Sequence, residues 1–372
     1  MIDRQAMVDE FCELVRIDSL SGQEKRVSEV LAGKLREMGL SVEFDKAHEM
    51  IGGNVGNLIA KLPASDPSRP TLMLQSHTDT VTPGEGIVPV VGDTHVTSAG
   101  ETVLGADAKA GVTVILHTVR DIVASGAPHG ELQVVLCIAE ETGLYGAKYL
   151  DYSKVSPAFC YVLDGGKPAG RMTTAAPSAY KMDYTIKGLA AHAGVRPEAG
   201  ISAIEAAAAG ISRMKLGRLD YETTANIGII SGGQARNIVA DTCVLQAEAR
   251  SHDEAKLQAQ LAHMRMCLDH AAQEAGATLV EPELQASYKR FHIPDGSPIV
   301  QIAWRAALNL GLEPATEAGG GGSDANVFND RGIPSVICST GAEGAHTLTE
   351  RLDIAEMVRS AEWLVEIVKS AR

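Results

Sequence analysis

Residues 136–143 read Leu-Cys-Ile-Ala-Glu-Glu-Thr-Gly and close an apolar run that begins at Leu132. A short apolar run that is rich in β-branched residues and ends at a glycine is typical of a buried strand. Open α/β sheets place their chemistry at the carboxyl ends of such strands. Neighbouring side chains of a strand point to opposite faces, so Glu140 and Glu141 can take different roles, one as a metal ligand and one as a proton carrier. A pair of acids that closes a strand is more often simply solvated. A catalytic role for Glu140 and Glu141 therefore depends on whether other strand ends also carry metal-type ligands.

The composition excludes several classes of protein. The chain has 372 residues, which suggests two domains, and 45% of them are hydrophobic, which is enough for two cores. A net charge of -14 and an aromatic content of 4% argue against a nucleic-acid partner or an anionic membrane. The six cysteines form no CxxC pair, and neither a signal peptide nor a membrane-spanning run is recognisable. We therefore expect a cytoplasmic protein with reduced cysteines.

A histidine and an aspartate follow the apolar segment 71–75, which we predict to be a central strand. They are His77 and Asp79 in the sequence Ser-His-Thr-Asp-Thr at 76–80. Residues two apart in an extended segment lie on the same face, and a carboxylate commonly orients the ring of a metal-binding histidine. A polar turn after a strand is the ordinary alternative.

Three further side chains of the same kind stand at other predicted element ends. Asp107 comes just before the apolar helix 112–123, where it is either a helix N-cap or a carboxylate that bridges two metals. Asp164 follows an apolar strand, and His346 lies in the loop after another. Two zinc ions that share one bridging carboxylate need this mixture of imidazoles and carboxylates. Burying so many acids together without a cation would be costly, so the set predicts a two-metal centre.

The helical and strand patterns divide the chain. Ser21 with Glu24 three residues later predicts a capping box that begins a helix. The pattern of residues 1–174 and 290–372 predicts an α/β domain with a central mixed sheet flanked by helices. Residues 175–289 have the order strand, helix, two strands, helix, strand, with the last strand at 278–286. That order is the split βαβ pattern of a ferredoxin-like α+β domain, here inserted in the larger one.

The chain resembles the dinuclear zinc exopeptidases and deacylases, a group that includes peptidase T, carboxypeptidase G and acetylornithine deacetylase. The resemblance covers the whole length and rests on three motifs in the family order. They are Ser-His-Thr-Asp-Thr (76–80), Gly-Ala-Asp-Ala-Lys-Ala-Gly (105–111) and Ala-Glu-Glu-Thr-Gly (139–143). The resemblance implies a zinc-dependent metallopeptidase or amidohydrolase that acts on a small peptide or an N-acyl amino acid. Two divalent metals are implied, zinc first, with cobalt or manganese as alternatives.

The same resemblance assigns the residues of the site. His77 and Asp164 would hold one metal, Glu141 and His346 the other, and Asp107 would bridge the two. Glu140 would be the general base, and Asp79 would steer His77. The inserted domain would be a lid through which a homodimer forms. The substrate-binding side chains and amides are expected at His192, which would stabilise the oxyanion, and at Asn237, Arg250, Gly321, Gly322 and Ser323.

Two departures from the family pattern bear on specificity. Ala108 stands where peptidase T has a second aspartate, and Gly320 stands where it has an arginine that grips the tripeptide carboxylate. Losing a bidentate clamp should relax or redirect specificity. The first expectation is a peptidase T-like enzyme, and the alternative is a carboxypeptidase G-like or aminoacylase-like enzyme. A two-metal phosphoesterase would need more basic residues than Lys109, and a non-catalytic binding protein would have lost Glu140 or a ligand.

Overall fold

The computed structural model describes residues 2–166 and 168–372. The helices in this part of the chain are α1 (Arg4–Val15), α2 (Lys25–Glu37), α3 (Ala106–Ser125), α4 (Tyr145–Lys148), α5 (Ala203–Arg213), α6 (Glu254–Glu274), α7 (Pro298–Asn309), α8 (Asp324–Asp330) and α9 (Ile354–Ser370). The strands are β1 (Ser41–Phe44), β2 (Leu58–Leu62), β3 (Leu72–His77), β4 (Pro89–Val91), β5 (His95–Ser98), β6 (Leu132–Cys137), β7 (Phe159–Gly165), β8 (Arg171–Ala176), β9 (Ser178–Lys187), β10 (Gly217–Arg218), β11 (Thr223–Gly232), β12 (Thr242–Ser251), β13 (Thr278–Leu279), β14 (Glu283–Tyr288), β15 (Phe291–His292), β16 (Ala315–Ala318), β17 (Ser335–Ser339), β18 (Ala342–Glu343) and β19 (Arg351–Asp353). Among the described helices, none is both long and apolar enough to cross a lipid bilayer.

The chain forms two compact units. The first contains residues 1–175, 292–319 and 323–372, and the second contains residues 176–291 and 320–322. Each has its own cluster of buried apolar side chains. The predicted fold class, an α/β domain with a mixed sheet and an inserted α+β domain, is confirmed.

The first unit is built on a mixed sheet in the order β1-β2-β6-β3-β7-β17-β8, with β16 beside β8. Its centre is parallel, because β3 pairs in parallel with both β6 and β7, and β7 with β17. Strands β3 and β6 are buried throughout, as expected of strands that helices cover on both faces. Helix α3 packs against β3 and β7 and also against α1 and α9.

The second unit has an antiparallel sheet in the order β10-β11-β12-β9-β13, with β14 also beside β9. Helices α5 and α6 pack against each other and against β12. The single strand predicted at 278–286 is wrong, because the structure has two short strands there, β13 and β14. Pro282 stands between them and has no N–H to donate to a ladder, so the pairing with β9 is interrupted.

The predicted capping box at the start of α2 is also wrong. The residue before the helix is Glu24, whose own side chain makes no cap bond, and the first helical amide, that of Lys25, donates to Asn54 Oδ1 at 3.0 Å. The Ser21 hydroxyl donates instead to Asp79 Oδ2, at 2.6 Å. The Glu24 carboxylate accepts from the amides of Gly22 and Ala139, at 2.8 and 2.9 Å. Both side chains have buried, long-range partners, which compete successfully with the local capping bonds.

Candidate metal centre

Parallel pairing brings several polar side chains to one edge of the main sheet. His77 lies opposite Cys137 in the β3–β6 ladder, so Glu140 and Glu141 follow just beyond it. Gln75 lies opposite Val162 in the β3–β7 ladder, and continuing that register brings His77 level with Asp164. The carboxyl ends of parallel strands meet at the same edge, which is why these distant parts of the sequence converge.

His77 is surrounded by carboxylates. Its Nε2 lies 3.2 Å from Asp107 Oδ1 and 3.4 Å from Asp164 Oδ1. Its Nδ1 lies 3.3 Å from Asp79 Oδ1, on the other side of the ring. The ring is 2% exposed. One nitrogen therefore faces the predicted ligands, while the other faces the residue predicted to orient the ring.

His346 has a corresponding set of neighbours. Its Nε2 lies 2.9 Å from Glu141 Oε2 and 3.4 Å from Asp107 Oδ2. The residue lies in the loop between β18 and β19 and has a left-handed φ of 64°. Asp107 therefore directs one carboxylate oxygen towards each imidazole, as a carboxylate shared by two metals would.

The backbone geometry explains why the Asp107 side chain can face both imidazoles. The residue falls inside the range of α3, but its φ and ψ of -83° and 106° are not helical. The cap position belongs to Gly105, which is left-handed and makes no side-chain cap bond. The ordinary N-cap interpretation of Asp107 is therefore wrong, and its side chain is directed into the cluster.

The groups of the cluster shift one another's pKa values. Burial lowers the pKa of His77, but the carboxylates of Asp107 and Asp164 outweigh burial and hold that pKa well above its ordinary value. Hydrogen bonds to Asp107 and Glu141 raise the pKa of His346 to about 10. Burial raises the pKa of Asp107, but the bonds from His346 and His77 outweigh that effect and lower it. The cluster therefore strongly favours positive charge at its centre.

Two acids of the cluster, Asp164 and Glu140, have raised pKa values, in contrast to Asp107. Burial, followed by the neighbouring charge of Asp107, raises the pKa of Asp164 to about 7. Burial also raises the pKa of Glu140 well above its ordinary value, although the charge of His77 opposes this. These shifts express the cost of confining several carboxylates in a buried space, a cost that a divalent cation would remove.

The donor set fits divalent metals. Ligand atoms of His77, Asp107 and Glu141 lie within 4.8 Å of one another, close enough to share an ion. Imidazole nitrogen and carboxylate oxygen are ligands that zinc accepts in proteins. The cluster thus has the chemistry of a metal centre, and Asp164 and His346 border the same group.

Asp79 supports the centre through the backbone. Its two carboxylate oxygens accept from the amides of Glu140 and Glu141, at 3.0 and 3.1 Å. It is completely buried, and the Ser21 hydroxyl completes its set of donors. Asp79 therefore holds both the ring of His77 and the turn that carries the two adjacent acids.

Ser323 also lies beside the cluster. Its hydroxyl is buried and donates to Asp164 Oδ2, at 2.9 Å. Its contact is thus with a predicted ligand, and its predicted contact with substrate amides stays a prediction.

Two glutamates that sequence reasoning did not assign to the site belong to its framework. Glu24 accepts a bond from Ala139, next to Glu140, and Glu350 accepts bonds from the loop that carries Asp107. Their positions gave little signal, because Glu24 matches a local capping box and Glu350 simply precedes a strand.

The remaining predicted substrate residues lie in the second unit. His192 and Asn237 are exposed, and their segments adjoin, because the amide of Ala193 donates to the carbonyl of Asn237 at 3.0 Å. Arg250 on β12 donates to Glu248 at 2.9 Å. A Cβ atom on Gly321 would lie 3.9 Å from Arg250 Nη1, and one on Gly322 would lie 2.3 Å from the ring of Tyr288. The structure therefore groups His192 with Asn237, and Arg250 with Gly321.

A sheet edge that gathers imidazoles and carboxylates in this way is typical of metal-dependent enzymes. The chain belongs to the peptidase family M20/M25/M40, whose sequence profile matches residues 73–370. This confirms the predicted family and identifies the protein as a hydrolase of the peptidase type.

Individual relatives agree over the whole chain. "Uncharacterized protein YqjE" of Bacillus subtilis (strain 168) is 40% identical over 371 residues, which is 100% of each chain. The crystal structure of a tripeptidase from Staphylococcus aureus subsp. aureus Mu50 is 40% identical, with a TM-score of 0.94 over 99% of this chain and 98% of that one. The crystal structure of aminopeptidase PepT from Bacillus cereus ATCC 10987 is also 40% identical, with a TM-score of 0.90 over 99% of each chain.

Proposed function

We propose that the protein is a two-metal amidohydrolase that cleaves short peptides. The observation that carries the proposal is the buried Glu140 beside a cluster with metal-ligand chemistry, on the same edge of the sheet. Relatives named as an aminopeptidase and a tripeptidase support peptides as the substrate class.

The predicted ligand assignment fits the distances. His77 and Asp164 would hold one ion, Glu141 and His346 the other, and Asp107 would lie between them. We propose zinc for both sites, with cobalt or manganese as alternatives, because the donors are nitrogen and oxygen. Two such ions, if bound there, would lower the pKa of a water molecule and polarise the substrate carbonyl.

Glu140 supplies the proton transfers in this proposal. Its carboxylate accepts a proton from the attacking water and returns it to the leaving nitrogen of the peptide. Burial raises its pKa, which makes it a stronger base than a solvated glutamate. Asp79 holds the backbone amide of Glu140, so the base stays in place between the two transfers.

The second unit would supply the substrate contacts and the dimer. His192 and Asn237 are exposed and available to a substrate, and Arg250 would meet a carboxylate if it left Glu248. Ile229 and Ile230 on β11 are 56% and 52% exposed, which supports β11 as a homodimer contact. The cysteines in the described residues are free and buried, which supports a reducing cytoplasmic location.

The test is turnover by the purified protein loaded with zinc or cobalt. Tripeptides, dipeptides, N-acyl amino acids and an aryl phosphate would be offered, and release of amine or phosphate measured. Tripeptide cleavage supports the proposal. Cleavage of N-acyl amino acids alone would favour the carboxypeptidase G-like or aminoacylase-like alternative, and phosphate release would favour a phosphoesterase. Metal binding with no turnover would indicate a binding protein.

The variant Glu140→Gln separates the general base from the ligands. It should keep both metals and lose about 10²- to 10⁴-fold in kcat, the usual contribution of a general acid–base group. Glu141→Gln is the matched control, because it changes the adjacent residue and should lose metal. Unchanged turnover in Glu140→Gln would remove Glu140 from the mechanism.

A further inference from the structure

Glu350 is a buried carboxylate that the proposed reaction does not use. It lies four residues after His346, in the loop between β18 and β19, and is 3% exposed. Its Oε2 accepts from the amides of Leu104 and Gly105, at 2.7 and 2.8 Å. Its Oε1 accepts from the amide of Asp107, at 2.9 Å. One side chain thus binds three backbone donors of the segment that leads to the shared carboxylate.

These donors have a particular need for such a partner. The first amides of a helix have no acceptor within the helix, and they form the positive end of its dipole. At the start of α3, Gly105 is left-handed and Asp107 is not helical, so no local side chain caps the helix. Glu350 satisfies these amides from 243 residues further along the chain.

The contact joins two of the predicted ligands. The backbone of Asp107 is held by Glu350, while its side chain faces both His77 and His346. Glu350 is also only four residues from His346. A shift of the Glu350 carboxylate would therefore move the shared carboxylate relative to one of its imidazoles.

Lys109 is a buried cation whose charge is attracted by Glu350. It is 1% exposed, and its Nζ donates to the carbonyl of Ile17 at 3.0 Å. The carboxylates that attract its charge are those of Asp18, Asp79 and Glu350. Burial raises the pKa of Glu350, and the bonds from the amides of Asp107, Gly105 and Leu104 oppose that rise without cancelling it.

We propose that Glu350 is a positioning residue that fixes Asp107 relative to His346 and so sets the geometry of the two-metal centre. This inference rests on the metal-binding part of the proposed function. Glu350 contacts the backbone of a ligand, and outer groups of this kind typically change metal affinity or activity by 10- to 100-fold.

The test is Glu350→Gln, which preserves size but not the set of acceptors. The amide oxygen of glutamine can accept either from Leu104 and Gly105 or from Asp107. Its NH₂ group, which cannot accept, must then face the N–H donor on the other side. Glu343→Gln is the matched control, because Glu343 lies on the neighbouring β18, has a side chain that is 42% exposed, and pairs with Arg351. The metal-free proteins would be titrated with Co²⁺ against a chelator, and the visible absorption of bound cobalt recorded.

The expected result is an affinity for Co²⁺ that is about 10- to 100-fold weaker in Glu350→Gln, with an altered cobalt spectrum and a kcat that falls more than KM changes. Glu343→Gln should match the wild type in each measurement. A wild-type affinity and spectrum, with reduced resistance to urea alone, would overturn the inference and leave Glu350 as a structural residue. If the wild type itself bound no metal, the proposed function would fail together with the inference, so the two failures are distinguishable.

A second variant covers the case in which Glu350→Gln does not fold. Glu350→Asp keeps the charge and shortens the side chain by one methylene group. Its affinity for Co²⁺ should also be about 10- to 100-fold weaker than that of the wild type. A wild-type affinity in this variant would overturn the inference. Failure of both variants to fold would assign Glu350 to the folding of the first unit and overturn the inference as well.

Discussion

Gly111 lies where α3 approaches the two strands that carry His77 and Asp164. A Cβ atom on Gly111 would lie 1.9 Å from the carbonyl oxygen of Leu163 and 2.7 Å from Ser76 Oγ. Both contacts are adjacent in sequence to predicted ligands. The atom in the way at 1.9 Å belongs to the backbone of β7, so it cannot be relieved by a rotation of a side chain. Gly111→Ala must therefore displace α3 from the ends of β3 and β7.

The size of the effect follows from two opposing contributions. Replacing a helical glycine by alanine gains about 1 kcal/mol from the backbone. Overpacking a buried contact costs about 1–3 kcal/mol, and more where backbone must move. A separation of 1.9 Å is more than 1 Å shorter than any ordinary carbon–oxygen contact, so the cost should lie at or above the upper limit. We expect a net loss of about 2 kcal/mol or more in the free energy of unfolding, with metal affinity at least about 10-fold weaker.

The assay is urea unfolding of the metal-free protein, followed by titration with Zn²⁺. Gly33→Ala is the matched control, because Gly33 lies within α2 and a Cβ atom there would meet nothing within 4 Å. That variant should gain about 0.5–1 kcal/mol. If Gly111→Ala were as stable as Gly33→Ala and bound metal equally well, the close approach of α3 to β7 would not set the geometry of the centre.

Two buried glutamates give pH predictions of opposite sign. Burial raises the pKa of Glu10, but hydrogen bonds from His117 and Arg120 outweigh burial and lower it from 4.5 to about 2. Its stabilising effect is therefore complete above pH 4.5 and is lost as the pH falls towards 2, so Glu10→Gln should cost about 3 kcal/mol at pH 7 and less at pH 3 in urea titrations. A constant difference between those pH values would contradict the ion pair, and the exposed Glu281→Gln serves as a control that should not change the unfolding midpoint. Burial raises the pKa of Glu24 from 4.5 to about 7, so the wild type loses stability as the pH rises through that interval. Glu24→Gln should therefore gain about 3 kcal/mol relative to the wild type between pH 4 and pH 8, and an unchanged difference would refute a buried charge at this position.

The sequence was sufficient for the parts of the centre that follow from local patterns. An apolar strand that ends in a carboxylate or imidazole is visible in a short window, and parallel pairing then brings such ends together. His77, Glu141 and Asp164 could be predicted in this way. Their convergence to a few ångströms needed the register of β3 with β6 and β7, which the sequence alone does not specify.

The supporting groups could not be predicted, because their partners are distant in sequence. Ser21 and Glu24 match a capping box, yet their bonds go to Asp79 and to Ala139, which are 58 and 115 residues away. A local motif competes with any buried acceptor or donor that the tertiary structure brings near, and the buried partner gains more because leaving it unpaired would be costly. A short window of sequence shows the local capping motif but not the distant partner that replaces it.

The long-range bonds share one feature that explains how the centre is held. Glu24, Asp79 and Glu350 are buried carboxylates, and each accepts from at least two backbone amides, of which at least one lies in a loop beside a predicted ligand. Backbone amides have no rotamers, so a loop held through them leaves its own side chains free to ligate and restricts where they can point. We therefore expect the fold to arrange such a centre before an ion binds, in contrast to small zinc domains that fold only when metal binds. The amide donors oppose the cost of burying these carboxylates but do not remove it at Glu24 and Glu350, whose pKa values are raised by burial. The carboxylates of Asp107, Asp164 and Glu141 remain available to a metal.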